Sequence, residues 1–305
     1  MTTSGGVRLP TRGMAPALDG ATGWLNSAPP APRELRGQVV LYVFWTYTCI
    51  NWLRTLPYVR AWEHSYRDLG FVVIGVHTPE FTFEKDFDNV ARAAAEQDVG
   101  FPIVLDSDYQ IWDAFDNHYW PALYLADHRG ALRYEHFGEG RFVETEPAIQ
   151  QLLRDTGATV DRTLTDPAFR AVEEPADWEQ LESPETYLGY ARGDGGVSLS
   201  EQWTAHADRV SADGADATLS IRFHARDLHL VMKPTSTATS VRFRVRLDGR
   251  EPGDAHGIDV DASGAGLLAE PRMYQLVRQH GAIKHRTAEI SFPDGGADAF
   301  VLTFG

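Results

Sequence analysis

The chain changes its hydrophobic rhythm near its middle. In the first half, Val39-Val40-Leu41-Tyr42-Val43-Phe44 is an unbroken apolar, β-branched run, which predicts a strand buried on both faces. Phe71-Val72-Val73-Ile74-Gly75-Val76-His77 predicts a second. Between them Cys49 to about Asp68 is helix-compatible, although Leu53, Leu56, Val59 and Trp62 spiral around the axis instead of forming one stripe, and Pro57 predicts a kink. Strand, helix, strand in that order implies a right-handed crossover and the start of a parallel sheet. Phe83, Phe87, Val90, Ala91 and Ala94 then recur at helical spacing, so a helix is expected over 83–97, with a short strand over Phe101 to Leu105. Trp120 to Ala126, a turn at Asp127-His128-Arg129-Gly130, and Ala131 to Phe137 read as an antiparallel hairpin, and Glu144 to Asp155 as a closing helix.

From Thr156 to about Ser183 the residues are acidic and rich in Pro, Thr and Asp with no sustained period, which marks a linker or an ordered arm wrapping the surface. Beyond it the rhythm becomes short and alternating, as in Ala217 to Phe223, Leu228 to Met232, Val241 to Leu247, Tyr274 to Val277, Ala288 to Phe292 and Phe300 to Phe304. Such strands with Gly and Asp turns predict an antiparallel, jelly-roll-like β-sandwich. The expected organisation is therefore an α/β domain over 1–156, a linker or arm over 157–182 and an all-β sandwich over 183–305.

A length of 305 residues with 43% hydrophobic content suits two ordinary cores. The formal net charge of −15 argues against a grip on nucleic acid or anionic membranes, which needs clustered Lys and Arg. No apolar run is long enough to span a bilayer, and the start, MTTSGGVRLPTRGMAPALDG, lacks the order of a signal peptide. The expectation is a cytoplasmic chain as it stands, or an extracytoplasmic one if it is part of a longer protein. One cysteine, Cys49, excludes an intramolecular disulfide.

Cys49 falls where the first strand hands over to the first long helix. Unpaired N–H groups and the helix dipole favour an anion there, and so lower a thiol pKa. The alternative is a small buried hydrophobe, with nearby Arg54 not necessarily facing the sulfur. The stretch FWTYTCINWLRTLP resembles the active-site region of thioredoxin-like proteins of the TlpA-like, DipZ-type redoxin family. The resemblance is carried by Phe44-Trp45, Cys49, Pro57 and Pro121, the last directly before a strand. It implies a thioredoxin-like fold, a nucleophilic Cys49 and a cis-proline at Trp120-Pro121 packed beside it. It also places Glu80, in His77-Thr78-Pro79-Glu80, in a loop near the site, as a proton-transfer group or as a repulsive charge. Helix capping accounts for Glu80 equally well. The segments GATGWLNS, SPETYLGY, RFHARDLHLV and YQLVRQ extend the resemblance to a second domain similar to a carbohydrate-binding-module sandwich.

The family's signature is Cys-x-x-Cys, whereas this chain has Cys49-Ile50-Asn51-Trp52. Without a second thiol the usual intramolecular release of product is removed. Three readings of Cys49 stay open. It attacks a disulfide or a peroxide and is resolved by an external thiol; Thr46-Tyr47-Thr48-Cys49 also matches a T-x-x-C spacing used with peroxides. It binds a thiol-bearing partner without turnover, with Trp45, Tyr47, Trp52 and Trp120 as an apolar wall around the sulfur. Or it is a retired site kept for packing.

The expectation is a single-cysteine thiol redox protein, with Cys49 as nucleophile, Glu80 and His118 as proton-transfer or orienting groups, and Trp45, Thr46, Tyr47, Trp52, Trp120 and Pro121 around the substrate. Its partners are a thiol or disulfide substrate and an external reducing thiol. The alternative is a non-catalytic binding module whose sandwich recognises a glycan or protein, with Trp203, Tyr187, Tyr190 and Tyr274 as candidate platforms. No cofactor is expected. His77, His118, His128 and His136 show no ligand spacing, so no metal is expected either. Asp259-x-Asp261-x-Ser263-Gly264 fits a calcium loop or an acidic hairpin turn.

Overall fold

A computed structural model describes residues 9–193, 195–236 and 240–305. The first eight residues, part of the segment read for a signal peptide and of the expected first domain, lie outside the described residues. The chain divides into two units between Glu173 and Glu174, inside the stretch expected to be linker.

In chain order the first unit comprises β1 (Gly23–Leu25), α1 (Pro32–Leu35), β2 (Val39–Trp45), α2 (Ile50–Tyr66), β3 (Phe71–His77), α3 (Phe87–Glu96), β4 (Ile103–Leu105), α4 (Gln110–Ala114), β5 (Ala122–Ala126), β6 (Leu132–Phe137) and α5 (Phe142–Asp155). The sheet order is β1-β4-β3-β2-β5-β6. β2 runs parallel to β3, from Val39 opposite Phe71 to Trp45 opposite His77, and antiparallel to β5, where Phe44 faces Ala122. The C-terminal ends of β2 and β3 and the N-terminal end of β5 therefore meet at one edge of the sheet. That edge carries Cys49, the residues after His77, and Pro121.

Side chains on β2 alternate between two faces. Val40, Tyr42 and Phe44 join Ile74, Val76, Ile111, Trp112, Phe115 and Tyr124 in one core, where α4 supplies the cover. Trp45 points to the opposite face and stacks on Trp52 of α2, with ring centroids 4.9 Å apart. All seven residues of β2 are buried, as the unbroken apolar run predicts.

α2 lacks an apolar stripe because it is enclosed on most sides: Ile50, Trp52, Leu53, Arg54, Leu56, Val59 and Trp62 are all buried. Pro57 lies inside an unbroken helix. The helix expected over 83–97 is instead a 3₁₀ turn, Thr82–Lys85, followed by α3, because Asp86 caps α3 by accepting the Asn89 N–H at 3.0 Å. The short β1 and α4 had no periodic signal.

Residues from 157 to 173 lie along the first unit. Gln150 Nε2 donates to Thr163 O at 3.1 Å and Thr165 N donates to Glu146 Oε1 at 2.9 Å. Arg60 Nη2 donates to both carboxylate oxygens of Glu173 at 2.7 Å.

The second unit is a sandwich of two antiparallel sheets. One runs Arg272–Arg278, Asp227–Pro234, Ala297–Phe304, Val210–Ala212, Trp203–Ala205, with Thr186–Tyr187 also paired to Ala297–Phe304. The other runs Ala265–Leu268, Val241–Leu247, Arg286–Phe292, Ala217–Phe223, Val197–Leu199. Inward residues of both, including Leu219, Phe223, Leu230, Phe243, Val245, Tyr274, Ile290 and Phe292, form its core. Arg242, Arg244 and Arg246 alternate outward as the sequence rhythm predicts. Among the described residues no helix is long and apolar enough to cross a membrane.

Candidate functional site around Cys49

Cys49 is the N-cap of α2, with extended backbone at φ −75° and ψ 118° and no side-chain cap on the helix. The first turn carries no acidic residue, so no carboxylate within that turn offsets the positive end of the helix dipole. The sulfur is half-buried, with Sγ 3.8 Å from the carbonyl oxygen of Trp120. The Trp120–Pro121 peptide is cis. Trp120 is held by its Nε1–H, which donates to Thr78 O at 2.9 Å, and by its ring 4.3 Å from that of Trp112. Trp120 and Pro121 are thus brought to the thiol by the neighbouring strand β5, as its antiparallel pairing with β2 requires.

Trp52 occupies the fourth place of the motif and turns inward, with no exposed surface. Its Nε1–H donates to Gln97 Oε1 at 3.1 Å, and Gln97 Nε2 donates to Tyr47 O at 3.0 Å, so one glutamine ties the indole to the turn before the cysteine. Trp45 fits beneath because Gly75 has no side chain: a Cβ there would lie 2.8 Å from Trp45 Nε1. Trp45, Thr46 and Trp52 are wholly buried and Tyr47 is 3% exposed. Of the residues expected as an apolar wall around the sulfur, Trp45, Tyr47 and Trp52 are thus core residues, and Trp120 is half-buried with its carbonyl beside Sγ.

His77 lies in the same buried layer, its ring edge-on to Trp45 at 5.0 Å and stacked on Tyr47 at 5.9 Å. Burial holds its imidazolium off, lowering the pKa from 6.5 to about 3. His77 Nε2 and the Tyr47 hydroxyl are buried without a hydrogen-bond partner.

The carboxylate most tightly bound into this region is Glu84, which the sequence reading did not single out. It is fully buried. Thr48 Oγ1 donates to its Oε1 at 2.6 Å, and the N–H groups of Glu80 and Phe81 donate to its Oε2 at 2.6 and 2.9 Å. Burial, opposed by the Thr48 bond and reinforced by the Glu80 charge, raises its pKa from 4.5 to about 7. Glu80 is half-buried and enters through its backbone, while the capping expected of it is performed by Glu84. A glutamate three residues after Phe81 at a turn start was the available signal.

Other expected residues lie elsewhere. His118 is at the surface, its side chain 69% exposed with Nε2 3.4 Å from Asp116 Oδ1. Arg54 is buried and faces Glu139, Nη1 to Oε2 3.7 Å; burial raises the Glu139 pKa to about 7 against the pull of Arg54. In the sandwich Asp259 binds Arg272 Nη2 at 2.6 Å and the Gln275 N–H at 2.8 Å. Asp261 Oδ1 accepts from Ser263 N, Ser263 Oγ and Ala265 N. The turn thus engages Asp261, while the strand Arg272–Arg278 engages Asp259. Of the four candidate platforms, Tyr274 is core, Trp203 and Tyr187 are half-buried and Tyr190 is 70% exposed.

A thiol at a helix N-terminus beside a cis-proline, on the edge of this sheet, is the site of a thioredoxin-like redox domain. The chain belongs to the thioredoxin-like thiol-disulfide oxidoreductases, in the DipZ/TlpA-like redoxin branch. Residues 193–305 match the family described as "Thioredoxin like C-terminal domain". Protein DipZ of Mycobacterium tuberculosis is 38% identical over 266 residues, covering 79% of this chain, and the chain spans 38% of the length of DipZ. Thiol-disulfide oxidoreductase YkuV of Bacillus subtilis is 31% identical over 141 residues, 46% of this chain and 95% of YkuV. A thioredoxin-like protein solved in the oxidised form is 32% identical, with a TM-score of 0.44, over 47% of this chain and 97% of that one.

Proposed function

We propose that the chain is a single-cysteine thiol-disulfide oxidoreductase. The Cys49 thiolate attacks one sulfur of a substrate disulfide R–S–S–R′, forming Cys49–S–S–R and expelling R′–S⁻, which takes up a proton. An external thiolate R″–S⁻ then attacks the R sulfur, forming R–S–S–R″ and returning the Cys49 thiolate, so the electron pair comes from the external thiol. The observation that carries this reading is the placement of the half-buried Sγ at the N-cap of α2, 3.8 Å from Trp120 O, with Trp52 buried where a resolving thiol belongs.

In this reading the carbonyl of Trp120 and the ring of Pro121 meet the substrate's backbone beside the sulfur. Glu84, bonded to Thr48 beside the cysteine, is the nearby proton store and shares its proton near neutral pH. His118, exposed beside Asp116, takes no part.

The test is to incubate the folded chain with a small aromatic disulfide, weigh the protein, then add glutathione. One mixed disulfide per chain, released by glutathione, is expected, with coupled turnover lost in Cys49→Ser. Turnover surviving in Cys49→Ser, or no adduct on the folded chain, would overturn the reading and favour a non-catalytic binding module. Trp52→Cys should add insulin-reducing activity absent from the parent, at a stability cost of about 3–5 kcal/mol for the lost indole, read from urea unfolding.

A further inference from the structure

The strand register of the sandwich brings two histidines together that lie far apart in sequence. Phe223 pairs with Arg286 at the end of an antiparallel ladder, so the next residues outward, His224 and His285, face each other beyond it. Their ring centroids are 4.5 Å apart. Glu182 arrives from a third segment, with Oε1 3.8 Å from His224 Nδ1 and Oε2 3.8 Å from His285 Nε2. One ligand atom from each of the three lies within 4.8 Å of the other two.

The surroundings hold this cluster in place. The N–H groups of Glu182 and Ser183 donate to His224 O at 3.0 and 3.3 Å, and Ser183 Oγ accepts the His224 N–H at 2.8 Å. Gln279 Nε2 donates to Ala225 O at 2.8 Å and Lys284 O at 3.1 Å, fastening the loop before His285 to the turn after His224. A separate observation points to a ligand. His224 Nδ1 lies 2.9 Å from Gln180 O, and since a carbonyl only accepts, Nδ1 carries the proton and Nε2 presents its lone pair. A backbone carbonyl fixing the tautomer in this way is the usual support of a metal-binding imidazole.

We propose that Glu182, His224 and His285 form a binding site for a divalent transition-metal ion of the zinc class. Two imidazoles and one carboxylate suit zinc, cobalt, nickel or copper, while calcium and magnesium prefer oxygen shells. Tetrahedral bonds near 2.1 Å separate ligand atoms by about 3.4 Å. One ligand atom from each residue lies within 4.8 Å of the others, and because the 3.8 Å contact of Glu182 is to the protonated Nδ1, the exposed Glu182 and His285 side chains reach the tetrahedral spacing by turning toward His224 Nε2. Three protein ligands leave one position for water. The ion would clasp the Glu182 segment, the turn at His224 and the strand starting at Arg286, all within the sandwich unit.

The experiment is zinc chloride titration by calorimetry into the untagged full chain carrying Cys49→Ser, so that the thiol contributes nothing. One zinc per chain is expected, with no heat from calcium or magnesium. His285→Ala and Glu182→Gln should each weaken the dissociation constant roughly tenfold or more. In a parallel thermal melt, zinc should raise the midpoint of the Cys49→Ser chain and not of the same chain with His285→Ala. Both variants alter exposed side chains, and circular dichroism checks their fold. No zinc uptake by the Cys49→Ser chain, or uptake unchanged by His285→Ala and Glu182→Gln, would overturn the proposal.

Discussion

At the scale of single residues, Glu84 sets a pH dependence. A buried carboxyl whose pKa rises from 4.5 to about 7 binds its proton more tightly in the folded chain than in the unfolded one. Its contribution to stability is complete below about pH 4.5 and is lost as pH rises through about 7. A rise of that size corresponds to roughly 3 kcal/mol. Glu84→Gln should flatten this fall, so between pH 4.5 and 8 the urea midpoint of the parent should drop relative to that of the variant as pH increases. Parallel curves would show that Glu84 ionises without penalty. Glu139 is present in both proteins and cancels in the difference. His77 works in the opposite direction: its depressed pKa gives stability above about pH 6.5 that is lost as pH falls toward 3. The sequence pointed to Cys49 because its motif is local, and to Pro121 because it directly precedes a strand. It missed Glu84 and Gln97 because both reach the site through folding, from residues 35 and 48 positions beyond Cys49.

At the scale of elements, the arm over 157–173 depends on a few polar and aromatic anchors. Arg60 of α2 holds Glu173 bidentately, and Tyr58 sits between Phe142 at 3.6 Å and Phe169 at 5.7 Å. Charged hydrogen bonds of this kind contribute roughly 1.5–3 kcal/mol, and here they act on one segment more than on the sheet. Arg60→Ala should therefore speed native-state tryptic cleavage at Arg162 and Arg170 roughly tenfold, with the cleaved bonds read by mass spectrometry. Cleavage at the parent rate would show that the aromatic contacts suffice. The acidic, Pro-rich composition made this stretch legible as a connection. Its order comes from Gln150, Glu146 and Arg60, which no local pattern in the arm reveals.

At the scale of the whole molecule, each unit closes its own core. Among the described residues, the strands of residues 174–305 pair with one another, and Leu219, Phe243, Ile290 and their neighbours fill the space between the two sheets. Residues 174–305 expressed alone should fold, giving dispersed amide resonances and a single cooperative urea transition. A collapsed spectrum would show that the sandwich needs the first 173 residues.

The sequence by itself determined the two architectures, because buried strands and half-buried strands impose different hydrophobic rhythms that any reader of the chain can count. It also pointed to Cys49 and to the missing second thiol, since Cys49 and Trp52 belong to one short motif. Tertiary structure alone decided which way the tryptophans face, which carboxylate meets the turn before Cys49, and that Glu182, His224 and His285 converge. The physical reason is the same in each case. Periodicity reports which side of an element is buried, whereas a site is made where strand register and packing bring distant elements to one edge.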